Sequence, residues 1–204
     1  MIELARDGDL WNVTLNRPEK ANSLTSAMLS RLIDIVDEAS GTAKIFVLTG
    51  AGKVFSAGAD LDEARAGLAT SPLWEELSGK IVALPCLTIA ALNGTLAGGA
   101  FGMALACDIR LSDPSAKFFY PVMKLGFLPQ PSDPVRLSTL IGPARAKMIL
   151  MAGQKITAEE ALSWGLVDHL VPAADQKEAV AELSQAALEA APEHIAGIKA
   201  LIQP

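Results

Sequence analysis

Apolar and polar positions follow two periods along this chain, and the switches between them mark out its elements. Ile2-Glu3-Leu4-Ala5 and Leu10-Trp11-Asn12-Val13-Thr14-Leu15 flank Asp7-Gly8-Asp9, which predicts a hairpin. Asn16 to Asn22 is rich in turn formers and reads as a loop. Met28, Leu29, Leu32, Ile33 and Val36 keep a helical period from about Thr25 to Ala39, stopped by Gly41. Ile45-Phe46-Val47-Leu48 is a continuous apolar run, as in a strand covered on both faces. It leads through Gly50-Ala51-Gly52 to Phe55-Ser56-Ala57-Gly58-Ala59-Asp60, a glycine turn opening a helix with Asp60, Asp62 and Glu63 at its start. Residues 65–80 read as helix and loop, and 81–85 lead into a buried strand at Leu87 to Leu92. A second glycine turn, Gly94 to Gly99, then opens a small-residue helix from Ala100 to Ala106.

Beyond it, Ile109 to Leu111 and Lys117 to Phe119 read as short strands, and 126–134 as a proline-rich loop. Helices are predicted at roughly 134–141 and 144–152, with Pro143 at a helix start and Gly153 just past an end. Thr157-Ala158-Glu159-Glu160 spells a capping box. Val167 to Val171 is extended, and 173–202 holds two more helices. No internal repeat is visible. Strands alternating with helices predict an α/β domain with a helical C-terminal part.

Composition narrows the chemistry. The 204 residues suit one large domain, half of them hydrophobic and 20% charged, so a sizeable core is expected. With 23 acidic against 17 basic residues the net charge is −6, which argues against a nucleic-acid partner. An anionic ligand would need local N–H groups and a few cations. Cys86 and Cys107 sit in apolar surroundings and are expected as buried thiols. Only His169 and His194 accompany them, so no metal site is expected, and both histidines read as structural or surface groups. The chain opens on strand-like sequence, and its apolar runs are broken by proline and glycine. Neither a signal peptide nor a membrane span is expected, and the cytoplasm is the expected compartment.

Three motifs fail on inspection. Gly50-Ala51-Gly52-Lys53 lacks the first glycine of a phosphate loop, where Val47 stands, and Val54 stands where a magnesium-binding hydroxyl belongs. The glycines from 94 to 102 do not spell a dinucleotide fingerprint. Ser56 is no nucleophile elbow, because Val54 replaces its first glycine. What remains is a pair of turns, Gly58-Ala59 and Gly98-Gly99, each exposing backbone N–H groups at a helix start. Two such donors converging on one oxygen would form an oxyanion hole. Tight packing between strand and helix is the competing reading of the same glycines.

Several stretches resemble the crotonase (enoyl-CoA hydratase/isomerase) superfamily, in order and over nearly the whole chain. They are Asn16-Arg17-Pro18 with Asn22-Ser23-Leu24, Phe55 to Leu61, Ala90 to Gly94 with Ala97-Gly98-Gly99, and Ala106-Cys107-Asp108-Ile109-Arg110. Gly142 to Ala146, Ala158 to Ala161 and Trp164 to Val167 follow. The resemblance implies a ββα-repeat spiral core over 1–142 and a shortened helical trimerisation region over 143–204. It also implies a homotrimer or hexamer. The ligand it implies is a coenzyme A thioester, bound as substrate rather than as a permanent cofactor. The N–H groups of Ala59 and Gly99 would polarise the thioester carbonyl. Lys20, Ala21, Ala57, Gly58, Asp60, Leu61 and Gly98 would line the coenzyme site, and Arg17, Lys20 and Lys53 could meet its phosphates.

The departures are specific. Family hydratases carry a glutamate three residues after the oxyanion glycine, where this chain has Gly102. Their second glutamate follows a proline, and here Pro121 is followed by Val122. The acid of related dehalogenases falls at Gln130. None of these three can move a proton as a carboxylate does. Asp133 and Tyr120 are the remaining acid–base candidates. The competing readings are a helix cap for Asp133, before Pro134, and a core or interface place for Tyr120. Gly102 reads either as close helix packing or as space for an acyl chain. The family's usual C-terminal helix is curtailed at Gln203-Pro204, which would leave the pocket more open or its cover to a neighbouring subunit. Two functions are therefore expected to compete: an enolate-forming acyl-CoA enzyme, or a degenerate acyl-CoA-binding or assembly subunit.

Overall fold

The computed structural model describes residues 1–202. The opening alternation forms the hairpin: β1 (Ile2–Asp7) pairs antiparallel with β2 (Leu10–Leu15) across Gly8. Helix α1 (Ser26–Ala39) starts where Thr25 accepts the Met28 N–H, and its period buries Met28, Leu29, Leu32, Ile33 and Val36. Burial of each such side chain is worth roughly 1.5–3 kcal/mol.

Three ββα units follow. The first is β3 (Ile45–Gly50), β4 (Val54–Ser56) and α2 (Leu61–Arg65), extended by α3 (Leu73–Ala83). The second is β5 (Leu87–Leu92), β6 (Thr95–Ala97) and α4 (Phe101–Leu105). The third is β7 (Ile109–Ser112), β8 (Lys117–Phe119) and α5 (Val122–Leu125). Each unit sends its first strand to a six-stranded sheet, order β1-β2-β3-β5-β7-β10, and its second to a four-stranded sheet, order β4-β6-β8-β9, where β9 is Ile156–Thr157 and β10 is His169–Leu170. This is the spiral that the family resemblance implies. No repeat shows in the sequence because β4, β6 and β8 have three residues each, too few to display a period.

The two glycine turns differ from expectation in one respect. Neither joins its long strand directly to a helix, because a short strand of the second sheet intervenes. Gly94 makes the step between sheets possible: a Cβ there would lie 2.1 Å from the Lys53 carbonyl oxygen. Likewise the short strands at 109–112 and 117–119 enter different sheets.

The remaining elements are α6 (Asp133–Ile141), α7 (Pro143–Leu150), β9 (Ile156–Thr157), α8 (Ala158–Trp164), β10 (His169–Leu170), α9 (Gln176–Glu189) and α10 (Pro192–Ile202). The capping box at Thr157 forms with Glu160. Strands β9 and β10 edge the two sheets, so the chain after residue 142 completes both. β3 shows why its run was uninterrupted. Phe46 and Leu48 join the main core, while Ile45 and Val47 join a second cluster under α9. Among the described residues no helix is long and apolar enough to cross a membrane.

Candidate active site

The loop from Asn16 to Leu24 brings the first turn into place. Ala21 and Asn22 both adopt left-handed conformations, φ 51° and 52°, which fold the chain back so that Asn22 is buried. Its amide nitrogen donates to the Ala51 and Val54 carbonyls at 2.9 and 2.7 Å. The Ala57 N–H donates to the Ala21 carbonyl, and Leu24 and Ala59 form a parallel bridge. Lys20 and Ala21 therefore stand beside Ala57 to Asp60, with Lys20 exposed.

Neighbouring strands β4 and β6 then carry the two turns into contact. Gly58 has φ 90°, and a Cβ on it would meet the Ala97 carbonyl oxygen at 2.9 Å, the Gly98 Cα at 3.3 Å and the Gly99 nitrogen at 3.4 Å. Residues 98–100 form a 3₁₀ turn leading into α4. The Gly99 N–H lies in that first turn, where no preceding helical carbonyl can take it. The Ala59 N–H donates to no protein group among the described residues. The structure thus brings Ala59 and Gly99 together, half-buried, as two free N–H donors. A Cβ on Gly99 would lie 3.3 Å from the Trp74 ring, so this indole of α3 walls the Gly99 side of the turn. Trp74 is held by its Nε1–H donating to the Leu68 carbonyl at 2.8 Å. Nothing in the sequence marks that role, because it depends on how α3 packs on α4.

The side-chain candidates sort differently. Asp133 does not cap α6. The N-cap is Ser132, and its side chain is paired with Glu75 instead of the helix. A residue before proline is biased away from helix, which argued for a cap; here the helix simply begins at Asp133. The carboxyl of Asp133 is 1% exposed and accepts the Tyr120 O–H at 2.9 Å on Oδ2. Its Oδ1 is buried without a partner among the described residues. Burial pushes its pKa up to about 6, opposed by the Tyr120 hydrogen bond and the Arg136 charge and reinforced by Glu75. Tyr120 is 3% exposed and stacks on Phe101, ring centroids 5.4 Å apart. Burial, then the neighbouring carboxylate, raises its pKa far above the usual phenol value. The core reading of Tyr120 and its candidacy for the site are thus both served by one position.

Some other expectations are corrected and some hold. Arg17 is not free for phosphates: its guanidinium donates to Asp60 at 2.8 Å and to the Ser23 carbonyl. Asp60 is equally committed, accepting Arg17 and capping α2, and the Arg17 hydrogen bond lowers its pKa. Glu63 serves α1 instead of its own helix start, accepting from the Ser26 N–H and hydroxyl. Gln130 is spent on the Ala69 carbonyl. His169 and His194 are exposed and remote in the fold. Cys86 and Cys107 are free buried thiols, raised by burial to about 11 and about 12, and so inert.

Comparison with known proteins identifies the family and the fold. A family model described as enoyl-CoA hydratase/isomerase matches residues 6–203. A Bacillus subtilis protein assigned to the enoyl-CoA hydratase/isomerases is 38% identical, over 85% of this chain and 70% of its own. The carnitinyl-CoA dehydratase of Salmonella typhi is 35% identical, over 97% of this chain and 78% of its own. An enoyl-CoA hydratase structure from Bacillus anthracis superposes with a TM-score of 0.91 at 33% identity, covering 98% of this chain and 81% of that one. The chain belongs to the enoyl-CoA hydratase/isomerase family, whose members act on coenzyme A thioesters, and it has the crotonase fold.

Proposed function

We propose that the protein binds an acyl-CoA thioester and stabilises its enolate with the backbone N–H groups of Ala59 and Gly99. The observation that carries this reading is the contact between the two turns, which leaves one free donor on each. Charge developing on the thioester oxygen would meet preorganised dipoles, and a lost donor of this kind typically costs about 3 kcal/mol of barrier. Ala21, Ala57, Gly58, Leu61 and Gly98 form the surrounding backbone and rim, and Asp60 holds that rim through Arg17. Lys20 and Lys53, exposed and without ion pairs among the described residues, supply charge for the coenzyme's phosphates.

The reaction is of the enolate type, a lyase or isomerase step on a fatty acyl or related thioester. Ordinary hydration by two glutamates is not expected, because Gly102 and Val122 stand in their places. Those same residues favour the second reading, a degenerate acyl-CoA-binding or assembly subunit. Incubation with an acyl-CoA panel in deuterated water, read by mass spectrometry, separates the two. Deuterium beside the thioester or a changed product supports the enzyme; unchanged thioesters that nevertheless bind support the second reading. No binding overturns the ligand assignment and leaves only the assembly subunit.

We also read the protein as a homotrimer or hexamer. Met123, Leu125, Leu128, Val135, Met148 and Met151 are exposed apolar side chains on α5 to α7 and their links, a face suited to another subunit. Two of them lie beyond residue 142, in the region read as trimerising. Sedimentation equilibrium measures the mass directly, and a monomer at micromolar concentration refutes the assembly. The buried free thiols suit a reducing, cytoplasmic compartment.

A further inference from the structure

We infer that the proton-transferring carboxylate of this site has changed elements: Asp133, at the start of α6, stands in the space that Gly102 leaves open on α4, with Tyr120 as its positioning residue. The inference rests on the thioester-binding reading above and deepens it. Position 102 is one helical turn after Gly99, where side chains three apart lie roughly 5–6 Å from one another on the same face. A Cβ at 102 would meet Asp133 Oδ1 at 2.9 Å, Oδ2 at 3.5 Å and Cγ at 3.6 Å. The carboxyl group therefore fills the place a side chain on α4 would enter, and a larger residue at 102 could not coexist with it. The glycine and the aspartate are complementary: one vacates, the other arrives from a neighbouring helix.

A purely structural pair explains the arrangement poorly. Tyr120 satisfies Oδ2, but Oδ1 has no partner among the described residues. A buried, half-satisfied carboxyl costs stability, and apolar residues of similar volume would usually cost less. The charged groups facing it are Arg136 on α6 and Glu75 on α3, with Tyr120 after β8. None of them reaches Oδ1 with a hydrogen bond. Oδ1, left without a hydrogen bond among the described residues, is the oxygen to which we assign the proton from carbon.

The step balances with one group. The C–H bond beside the thioester breaks and its proton passes to Asp133 Oδ1. The C–H electron pair forms the C=C bond of the enolate, and the carbonyl π pair moves onto the oxygen held by Ala59 and Gly99. The carboxyl group trades its proton for one from solvent within the lifetime of the enolate and returns that one, either to the same carbon or, in a β,γ-unsaturated thioester, to the γ-carbon. A single carboxylate accomplishes exchange and double-bond migration. Hydration needs a second group to activate water, and Val122 offers none. Of the reactions named by the family, this step fits double-bond migration from β,γ to α,β and not hydration.

The test uses the full-length protein with butyryl-CoA and 3-butenoyl-CoA in deuterated water, read by mass spectrometry, with calorimetry for binding. Wild type is expected to place deuterium beside the thioester of butyryl-CoA, and to yield crotonyl-CoA without 3-hydroxybutyryl-CoA. Asp133→Asn keeps the shape and the acceptor for Tyr120. It is expected to slow exchange about 100-fold or more, with the butyryl-CoA Kd within about threefold of wild type. Tyr120→Phe removes a hydrogen bond that favours the charged carboxylate, so the acid limb of the exchange profile moves to higher pH while the alkaline plateau stays within about tenfold. A purely structural tyrosine would leave that limb where it was. Exchange by Asp133→Asn at the wild-type rate overturns the inference. So does wild type that binds butyryl-CoA without exchanging it, an outcome that leaves the binding reading intact. Failure to bind any acyl-CoA overturns both.

Discussion

The backbone half of the proposed site and its side-chain half are held in different ways. The N–H groups of Ala59 and Gly99 belong to turns whose glycines are locked in contact between neighbouring strands β4 and β6. Their position is inseparable from the sheet. The proposed acid–base half hangs on side chains: Gly102 and Val122 stand where the family resemblance implies glutamates, and the proposed carboxyl group comes from Asp133 on α6. A function made of backbone is fixed by the fold; one made of side chains can be supplied from any element that reaches the same spot.

The sharpest way to break that comparison is Gly58→Ala. The substitution puts a Cβ at φ 90°, 2.9 Å from the Ala97 carbonyl oxygen, in a contact where backbone meets backbone. Neither partner can swing aside as a side chain could. Exchange is expected to fall about 10²–10³-fold as one donor is displaced. Left-handed strain alone costs about 1–3 kcal/mol, so the melting temperature should fall as well. Unchanged exchange would show that the turns are packing features only.

Asp133→Asn gives the next largest effect, and its direction on stability is opposite. The folded pKa of about 6 lies above the unfolded value of 3.8. Between them the folded chain holds a proton that the unfolded chain has released. The contribution of the group is therefore whole below about pH 4 and is lost as pH rises through about 6. A shift of about two units corresponds to about 3 kcal/mol. Asparagine carries no charge at any pH, so the variant should be the more stable protein at pH 8, by up to about 3 kcal/mol, and about equal at pH 4. Urea unfolding at both values measures this. A variant that gains stability while losing exchange has given up a group kept for chemistry.

Gly102→Ala opposes two terms of similar size. Alanine improves the helix by about 1 kcal/mol. Against that, its Cβ would stand 2.9 Å from Asp133 Oδ1, and overpacking of this kind costs about 1–3 kcal/mol. The expected net loss is about 1 kcal/mol, with exchange reduced at least about tenfold because the carboxyl must move. Thermal unfolding and the exchange rate report both. In the Asp133→Gly background the same alanine should stabilise, since its only obstacle is gone.

The two glycine turns were legible in the sequence and the place of Asp133 was only partly so, for physical reasons. Glycine turns announce themselves because the residue type itself is the signal. The long strands and α1 show through their periods, as in the uninterrupted run at β3 or the spacing from Met28 to Val36. The three-residue strands β4, β6 and β8 are too short to carry a pattern, which hid the ββα repeat from residue periodicity. Asp133 read as a cap because its neighbour Pro134 is a local cue, whereas its contact with Gly102 spans thirty-one positions and exists only after α6 packs on α4. Arg17 and Asp60 likewise looked available until folding paired them across the loop.

The smallest expected effect tests the rim of the site, where neither backbone contact nor burial operates. Lys20 is exposed and stands beside Ala57 to Asp60 through the hydrogen bond between Ala57 and Ala21. A solvent-exposed ammonium meeting a phosphate gains only about 0.2–1 kcal/mol. Lys20→Ala should therefore raise the butyryl-CoA Kd by about two- to fivefold. The difference should shrink as salt rises from 0.05 to 0.5 M, because the Debye length falls from more than about 10 Å to well under it. The exchange rate at saturating thioester should stay the same, since Lys20 touches neither the carbonyl nor the proton. A loss confined to binding and erased by salt places the coenzyme's phosphates on this rim. A salt-independent loss would assign Lys20 to holding the left-handed turn at Ala21 instead, and would move the phosphates elsewhere.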